Sequence, residues 1–444
     1  MKEWKVQVSE NKEFDVIVVG GGPAGCVAAA TAAKNGAKTL LLEATDTLGG
    51  MATSGLVQFW CGYSNGGEPC VNGTCREVIE KSMEALTPEI RSMRKWWKPS
   101  INAEALKLIY DNLVNESGAK VLLRTVLSSV ETDGEGHVTA ILVTNKAGMT
   151  SYTAKVYIDC TGDGDLVAFG GGEFEKGDER GEMQNGTLCF ALGNVNVANY
   201  PNHKVKEHRG IYPDERYPLI SDGHCVPVPL SDHVVAFNAG SLYGVDGTDP
   251  ESLTETIFKG RQLVGQITEA LRERIPDMYE DAELIRTASL LGIRETRRIK
   301  GDYKLTAEDY FARRVFPDDI ARNCYHLDSH ETPYEREMKK KGIKLAHGNE
   351  ETVFEEGESH GIPYRSLLPV SFSNVIVAGR CFSSDRRVNG ATRIMAACMS
   401  MGEAAGIAAA DAAKMETPDF RKVDVSSLQD RLIANGSPIQ KCEG

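Results

Sequence analysis

The sequence lacks any long, uninterrupted apolar run. Its most apolar stretch near the N-terminus, Val16 to Ala33, is broken by glycines and a proline and is preceded by acidic Glu13 and Asp15. A membrane span needs about 20 apolar residues in a row, and a signal-peptide core needs a basic flank in front of it. Neither reading fits, so no membrane partner is expected. A surplus of positive charge is also missing. The formal net charge is −13, which argues against nucleic acid as a partner, because binding phosphates requires a basic face. Two local basic runs, Arg91 to Lys98 and Lys339 to Lys344, read as solvated surface. A disulfide framework is absent: the 11 cysteines are odd in number and scattered, which fits a reducing, cytoplasmic compartment. No Cys-x-x-Cys and no His-Glu-x-x-His occurs, which argues against zinc and iron–sulfur sites. Asp159-x-Thr161-x-Asp163-Gly164 opens like a calcium loop. Its twelfth position is Gly170, where a bidentate glutamate is required, so the metal reading fails.

The chain has 444 residues, 41% hydrophobic and 25% charged, enough for two or three domains or for one large α/β domain carrying an insertion. Its 44 glycines exceed average usage without any repeat period, so they mark tight turns and close backbone approaches. The first cluster is the most informative. Phe14 to Val19 is a short β-branched run, as expected of a parallel strand buried on both faces. It leads into Gly20-Gly21-Gly22-Pro23-Ala24-Gly25. Ala24 to Asn35 then reads as an alanine-rich helix capped by Gly36, and Lys38 to Leu42 as a second strand ending at Glu43. Gly20 permits the tight turn, Gly22 lets the backbone approach a pyrophosphate, and Gly25 lets helix and strand pack closely. Free N–H groups at the helix start face the phosphates, and Glu43 stands where an acid accepts the adenosine ribose hydroxyls. The whole unit predicts a dinucleotide site.

The residues that follow decide which dinucleotide. Glu43 is followed by Ala44 and then, at Gly49-Gly50-Met51-Ala52-Thr53, by a glycine pair after the acidic strand end. Here the chain resembles the FAD-dependent oxidoreductases of the glutathione-reductase and fumarate-reductase superfamily, and within it the bacterial family named FAD-dependent oxidoreductase. The resemblance continues in order. Lys120 to Val130 reads as one strand, with Val126 at the position that offers a backbone amide to the adenine. Val156 to Ala168 contains the Asp159-x-Thr161-Gly162-Asp163 segment that returns to the cofactor. Asn374 to Arg380 reads as a strand entering the flavin site. Gly402 to Ala410 reads as a small-residue helix, able to come close to the cofactor and to present its N-terminal end to the flavin. The resemblance implies non-covalent FAD held by Gly20, Gly22, Pro23, Ala24, Gly25, Glu43, Ala44, Gly49, Gly50, Met51, Val126, Thr161, Gly162, Asp163, Gly379, Arg380, Arg393 and Ala404. Relatives often carry an acid after the glycine equivalent to Gly379; this chain has Arg380, with Asp385 a candidate substitute.

The implied architecture is α/β: a Rossmann-like FAD domain with a parallel sheet, from residues 1–175 and 366–420, and a mixed α+β substrate domain, 176–365, inserted between. A helical tail, 421–444, with its helix at Ser426 to Asn435, packs on the first domain. No second Gly-x-Gly-x-x-Gly follows, so no nicotinamide-nucleotide domain is expected. Electrons then pass by a substrate or by an external donor or acceptor at the same face. Cys70-Val-Asn-Gly-Thr-Cys75 resembles the redox pair of glutathione reductase but lies too far beyond the glycine pair; two buried thiols are the expectation. Flavin chemistry needs ionisable groups near the ring. Arg294, Arg297 and Arg298, in Gly292 to Ile299, suit a carboxylate or a developing enolate. His360 and Tyr364 suit general acid or base roles, and Arg393, just before the last long helix, suits flavin or substrate. The expected activity is hydride transfer between flavin N5 and a small polar, anionic metabolite, by C=C reduction or by alcohol or C–H dehydrogenation. A non-catalytic escort protein and an NAD(P)-dependent dehydrogenase are the alternatives. The oligomeric state stays open.

Overall fold

The computed structural model describes residues 7–10, 13–93, 98–203, 208, 210–211, 214–343 and 354–441. Residues 94–97 of the first basic run, Lys344 of the second and Cys442 lie outside that set. The centre is a five-stranded sheet of β1 (Phe14–Val19), β2 (Thr39–Leu42), β3 (Lys120–Leu122), β4 (Ala154–Asp159) and β5 (Val375–Val377). The strands run parallel in the order β5-β4-β1-β2-β3. Val16, Ile17 and Val18 are wholly buried, as expected of a continuous β-branched run in a parallel strand covered on both faces. The turn after β1 feeds α1 (Pro23–Lys34).

The expected strand Lys120 to Val130 is two strands. β3 stops at Leu122, Arg124 takes φ +52°, and the chain resumes at Val126–Thr132 in a different sheet. The break has a cause. Arg124 N–H donates to the Thr45 carbonyl and Thr125 N–H to the Glu43 carbonyl, so this stretch is tied to the end of β2. Val126–Thr132, Val138–Asn145 and Gly148–Tyr152 form an antiparallel meander, joined by Val8–Glu10.

The expected helix Gly402 to Ala410 is the interior of α2 (Met395–Ala412). Its small residues face a different neighbour from the one expected. A Cβ on Gly402 would lie 2.3 Å from the Ala24 carbonyl oxygen, and one on Gly406 would lie 2.5 Å from that of Ala28. The glycines let α2 press on α1 backbone to backbone, and the alanine-rich face of α1 is its complement.

The insertion has its own antiparallel sheet: Phe190–Gly193, Cys225–Ser231, Val234–Ala239 and Glu283–Thr287. The 25-residue helix Pro250–Arg274 covers it. Leu263, Val264, Ile267 and Leu271 are buried with Phe190 and Phe237, whose rings stack at 4.9 Å. Packing draws the two cores differently from chain order. Leu56, Leu86, Ile90 and Ala103 join the insertion's core, while Ile299, Tyr310, Ile320, Ile362 and Leu367 join that of the central sheet. The helix Val425–Ala434 buries Leu428 and Leu432 in the central core. Among the described residues no helix is long and apolar enough to cross a membrane.

Candidate functional site

At the C-terminal end of β1 the three fingerprint glycines meet three different surroundings. Gly20 has φ +99°, and a Cβ there would sit 2.4 Å from the Cys160 carbonyl oxygen. A Cβ on Gly25 would sit 1.8 Å from the Gly20 carbonyl oxygen. A Cβ on Gly22 would meet nothing within 4 Å, and Gly22, the N-cap of α1, provides no side-chain cap. An open cradle over uncapped helix amides fits a phosphate. Pro23 takes the first helical position, where no N–H is needed, and Ala24 is buried beneath Gly402. Glu43 is buried at the end of β2. Its carboxylate accepts the Gly21 and Thr45 N–H groups, each at 2.7 Å, and retains lone pairs for ribose hydroxyls. Gly49 donates its N–H to the Gly21 carbonyl at 2.8 Å, and a Cβ on Gly50 would be 3.0 Å from Gly22 Cα. The glycine pair therefore folds back over the first loop, with Met51 half-buried beside it. Ala44 is exposed and Val126 half-exposed, on either side of the Thr125–Glu43 bond. These residues together fit an adenine dinucleotide.

The second end of the site lies where β4 and β5 finish side by side. Asp159 is fully buried and accepts from Thr161 N–H, Thr161 Oγ1 and Val167 N–H. Burial outweighs these bonds and raises its carboxyl to about 6. The calcium-like motif is thus a self-satisfied turn, and no metal cluster occurs among the described residues. Asp163 Oδ1 accepts from Arg380 Nη2 at 2.7 Å and from Thr296 Oγ1 at 2.5 Å. Gly162 packs against the Arg380 guanidinium, 3.1 Å from where its Cβ would be. Gly379 turns the chain out of β5 with φ +121°. Asp385 does not face this group: its oxygens accept the Val388 and Ala307 amides, capping the helix Arg386–Thr392. Ala404 is wholly buried within α2.

The arginines of Gly292 to Ile299 part company. Arg297 donates to Asp165 and to the Asp163 carbonyl. Arg298 pairs with Glu295, whose side chain is wholly buried and also accepts from Arg386 Nε at 3.2 Å. Arg294 turns the other way. It is buried, donates to the Asn185 carbonyl and Oδ1 at 2.7 and 2.8 Å, and is pulled down to about 10 by burial and by the charge of Arg393. Arg393 donates to the Asp328 carbonyl at 2.7 Å, with its carboxylate at 3.4 Å. His330 Nε2 lies 3.4 Å from Asp328 Oδ1. Burial, then Arg294, draw His330 down to about 3. Burial works against the charge on Asp328, but the His330 bond and the two arginines hold it well below the carboxylate range. Gln184 Nε2, Asn389 Oδ1 and Arg393 Nε are buried without a protein partner.

Arg294, from the insertion, therefore lies within electrostatic reach of Arg393, from the cofactor unit. The structure does not bring His360 or Tyr364 to them. His360 is wholly buried; Nδ1 donates to the Gly361 carbonyl, Nε2 accepts from Asn323, and burial lowers it to about 4. With both nitrogens engaged, neither is left to meet a substrate. The Tyr364 hydroxyl donates to the Phe420 carbonyl, and burial raises it well above the ordinary phenol range. Cys70 and Cys75 are buried free thiols with different neighbours: Cys324 beside Cys70, the Ala396 carbonyl beside Cys75. Sequence reasoning missed Asp328 and His330. The run His326-Leu-Asp-Ser-His330 was the available signal, with two histidines and an acid in five residues outside any strand or helix pattern.

Comparison with known proteins gives a family. The model described as "FAD dependent oxidoreductase" matches residues 15–432. A curated relative, digeranylgeranylglycerophospholipid reductase 3 of Methanosphaera stadtmanae, is 26% identical over 160 residues, 30% of this chain and 36% of the relative. The match thus spans about a third of that relative's length. Among solved structures, a geranylgeranyl bacteriochlorophyll reductase-like protein from Thermoplasma acidophilum is 14% identical, covering 95% of this chain and 84% of the other at TM-score 0.47. The flavin-dependent brominase Bmp2 is 13% identical with the same coverage, at TM-score 0.46.

Proposed function

The chain belongs to the FAD-dependent oxidoreductase family and is an oxidoreductase with FAD as cofactor; on that premise we propose that it exchanges hydride with a small, polar, anionic metabolite. The observation that carries this reading is the Arg294–Arg393 pair. A buried guanidinium, Arg294, and a half-buried one, Arg393, within electrostatic reach of each other, with Asp328 partnering Arg393 and the Arg393 Nε atom unpartnered, make a site that gains from receiving a carboxylate or phosphate. When bound, FAD supplies hydride chemistry at N5. The chain's own residues bind, orient and shield. Gly22 and the start of α1 take the pyrophosphate, Glu43 the ribose, and the Asp163–Arg380 pair stands at the ends of β4 and β5. Arg294 and Arg393 hold the substrate's anionic group and polarise it toward C=C reduction or, in reverse, dehydrogenation. An external electron donor or acceptor, reaching the same face, completes the cycle, and the reading includes a cytoplasmic location.

The test uses the FAD-loaded protein and a panel of small carboxylates and phosphates, following flavin bleaching or reoxidation. Arg294→Ala and Arg393→Ala should each retain FAD and lose about 10²–10³ in rate with the responding anion. Unchanged rates in both variants would remove the assignment.

A further inference from the structure

Hydride transfer leaves a proton to be placed. We propose that His330 is the proton-transfer residue of the Arg294–Arg393 site and that an anionic substrate loads it with its proton. This rests on the anionic reading of that site.

The geometry confines the ring. The His330 N–H donates to Gln184 Oε1 at 2.9 Å, and its carbonyl accepts from Arg386 Nη2 at 3.4 Å. Backbone held on both sides fixes where the imidazole points. His224 meets it edge-on, ring centres 5.7 Å apart. A fifth of the side chain stays accessible. With Asp328 accepting from Nε2–H, the basic lone pair is on Nδ1.

The charged groups around His330 come from four segments: Asp328 from its own, Arg294 from the insertion's return, Arg393 from beyond the helix Arg386–Thr392, and Asp222, which accepts the His224 N–H at 3.0 Å. Burial and the two arginines keep the ring neutral when no anion is present. An anion seated between the guanidinium groups cancels part of their field while the Asp328 contact persists, so the ring gains basicity and takes a proton from solvent. With FAD bound to supply hydride to one carbon of a C=C, the His330 proton would go to the other. The product has gained H⁻ and H⁺, and His330 is neutral again.

Because the anion-bound value lies above the free one, binding takes up a proton between the two values. Affinity must therefore fall as pH rises through that window, by up to about tenfold per pH unit.

The experiment is calorimetric titration of sulfate, whose own charge is constant over the range, into the FAD-loaded full chain at about pH 5 to 7, in two buffers of different ionisation enthalpy. Proton uptake with each sulfate is expected, and an affinity that weakens as pH rises. His330→Gln and His330→Asn should still bind sulfate, with no uptake and flat affinity. Wild-type binding without proton exchange at any pH, or uptake unchanged in a folded His330 variant, overturns the role of His330. Failure of sulfate to bind, or binding unchanged in Arg294→Ala, overturns the anionic site itself, a separate result.

Discussion

At the Gly22 end of the molecule, negative charge is met by main chain: open space, uncapped amides at the start of α1, and Glu43 steadied by two backbone N–H groups. At the Arg294 end it is met by side chains, with a buried Arg294 and half-buried Asp328, His330 and Arg393 drawn from three separate stretches of chain. The contrast separates two ways of holding an anion. Backbone dipoles are fixed by the course of the chain and cost little to desolvate. Buried side-chain charges carry a desolvation cost, and each depends on every partner being present.

The sharpest way to break the comparison is at the glycines. Gly25→Ala drives a methyl group into the Gly20 carbonyl, so the main-chain end should lose its shape. Loss of FAD and destabilisation of about 3 kcal/mol or more are expected, read from bound FAD and urea midpoints. Gly22→Ala, adding the same methyl to open space, should fold normally and weaken FAD by at least about tenfold, roughly 1.4 kcal/mol. Unchanged FAD affinity in a folded Gly22→Ala would show that Gly22 does not face the cofactor. An effect of similar size to that of Gly25→Ala tests buried side-chain charge. Glu295→Gln leaves Arg298 and Arg386 around a neutral group in a wholly buried position; about 3–5 kcal/mol should be lost. A loss under about 1 kcal/mol would mean that Arg386 needs only Glu335, its other partner at 2.8 Å.

A further effect concerns acid. The His360 value is about 4 in the folded chain against 6.5 as its ordinary value. Between them the unfolded chain holds the proton and the folded chain does not. Its contribution is therefore whole above about pH 6.5 and lost as pH falls toward 4, by up to about 3 kcal/mol. His360→Asn should flatten that part of the stability profile without altering the pH dependence of anion binding. If the binding profile moved as well, His360 would belong to the reacting site.

The same division explains what could be read from sequence. β1, β2, α1 and the Gly22 cradle were legible because each depends on residue type at fixed local spacing. The start of α2 was not: its N-cap is Ile394, which offers no capping side chain, so no signal marks the helix before Gly402. The turn at Arg124 was hidden because hydrogen bonds to Thr45 and Glu43, remote in sequence, impose it. Arg294 and Arg393 were recognisable as candidates. That they meet, and that His330 rather than His360 stands beside them, follows from how the insertion returns to the sheet, which no local pattern records.

The packing of α2 on α1 through Gly402 and Gly406 has a consequence for how the chain is made. β1 and the cradle leave the ribosome early, but β5 and α2 emerge only after the whole insertion. At about 5–20 residues per second, roughly twenty seconds to a minute separates them. Through that interval the alanine face of α1 has no partner and the sheet no β5 edge. The nascent chain must hold the α2-facing side of α1 uncovered until α2 emerges, so the contact that closes the cofactor unit forms only after the insertion has been made.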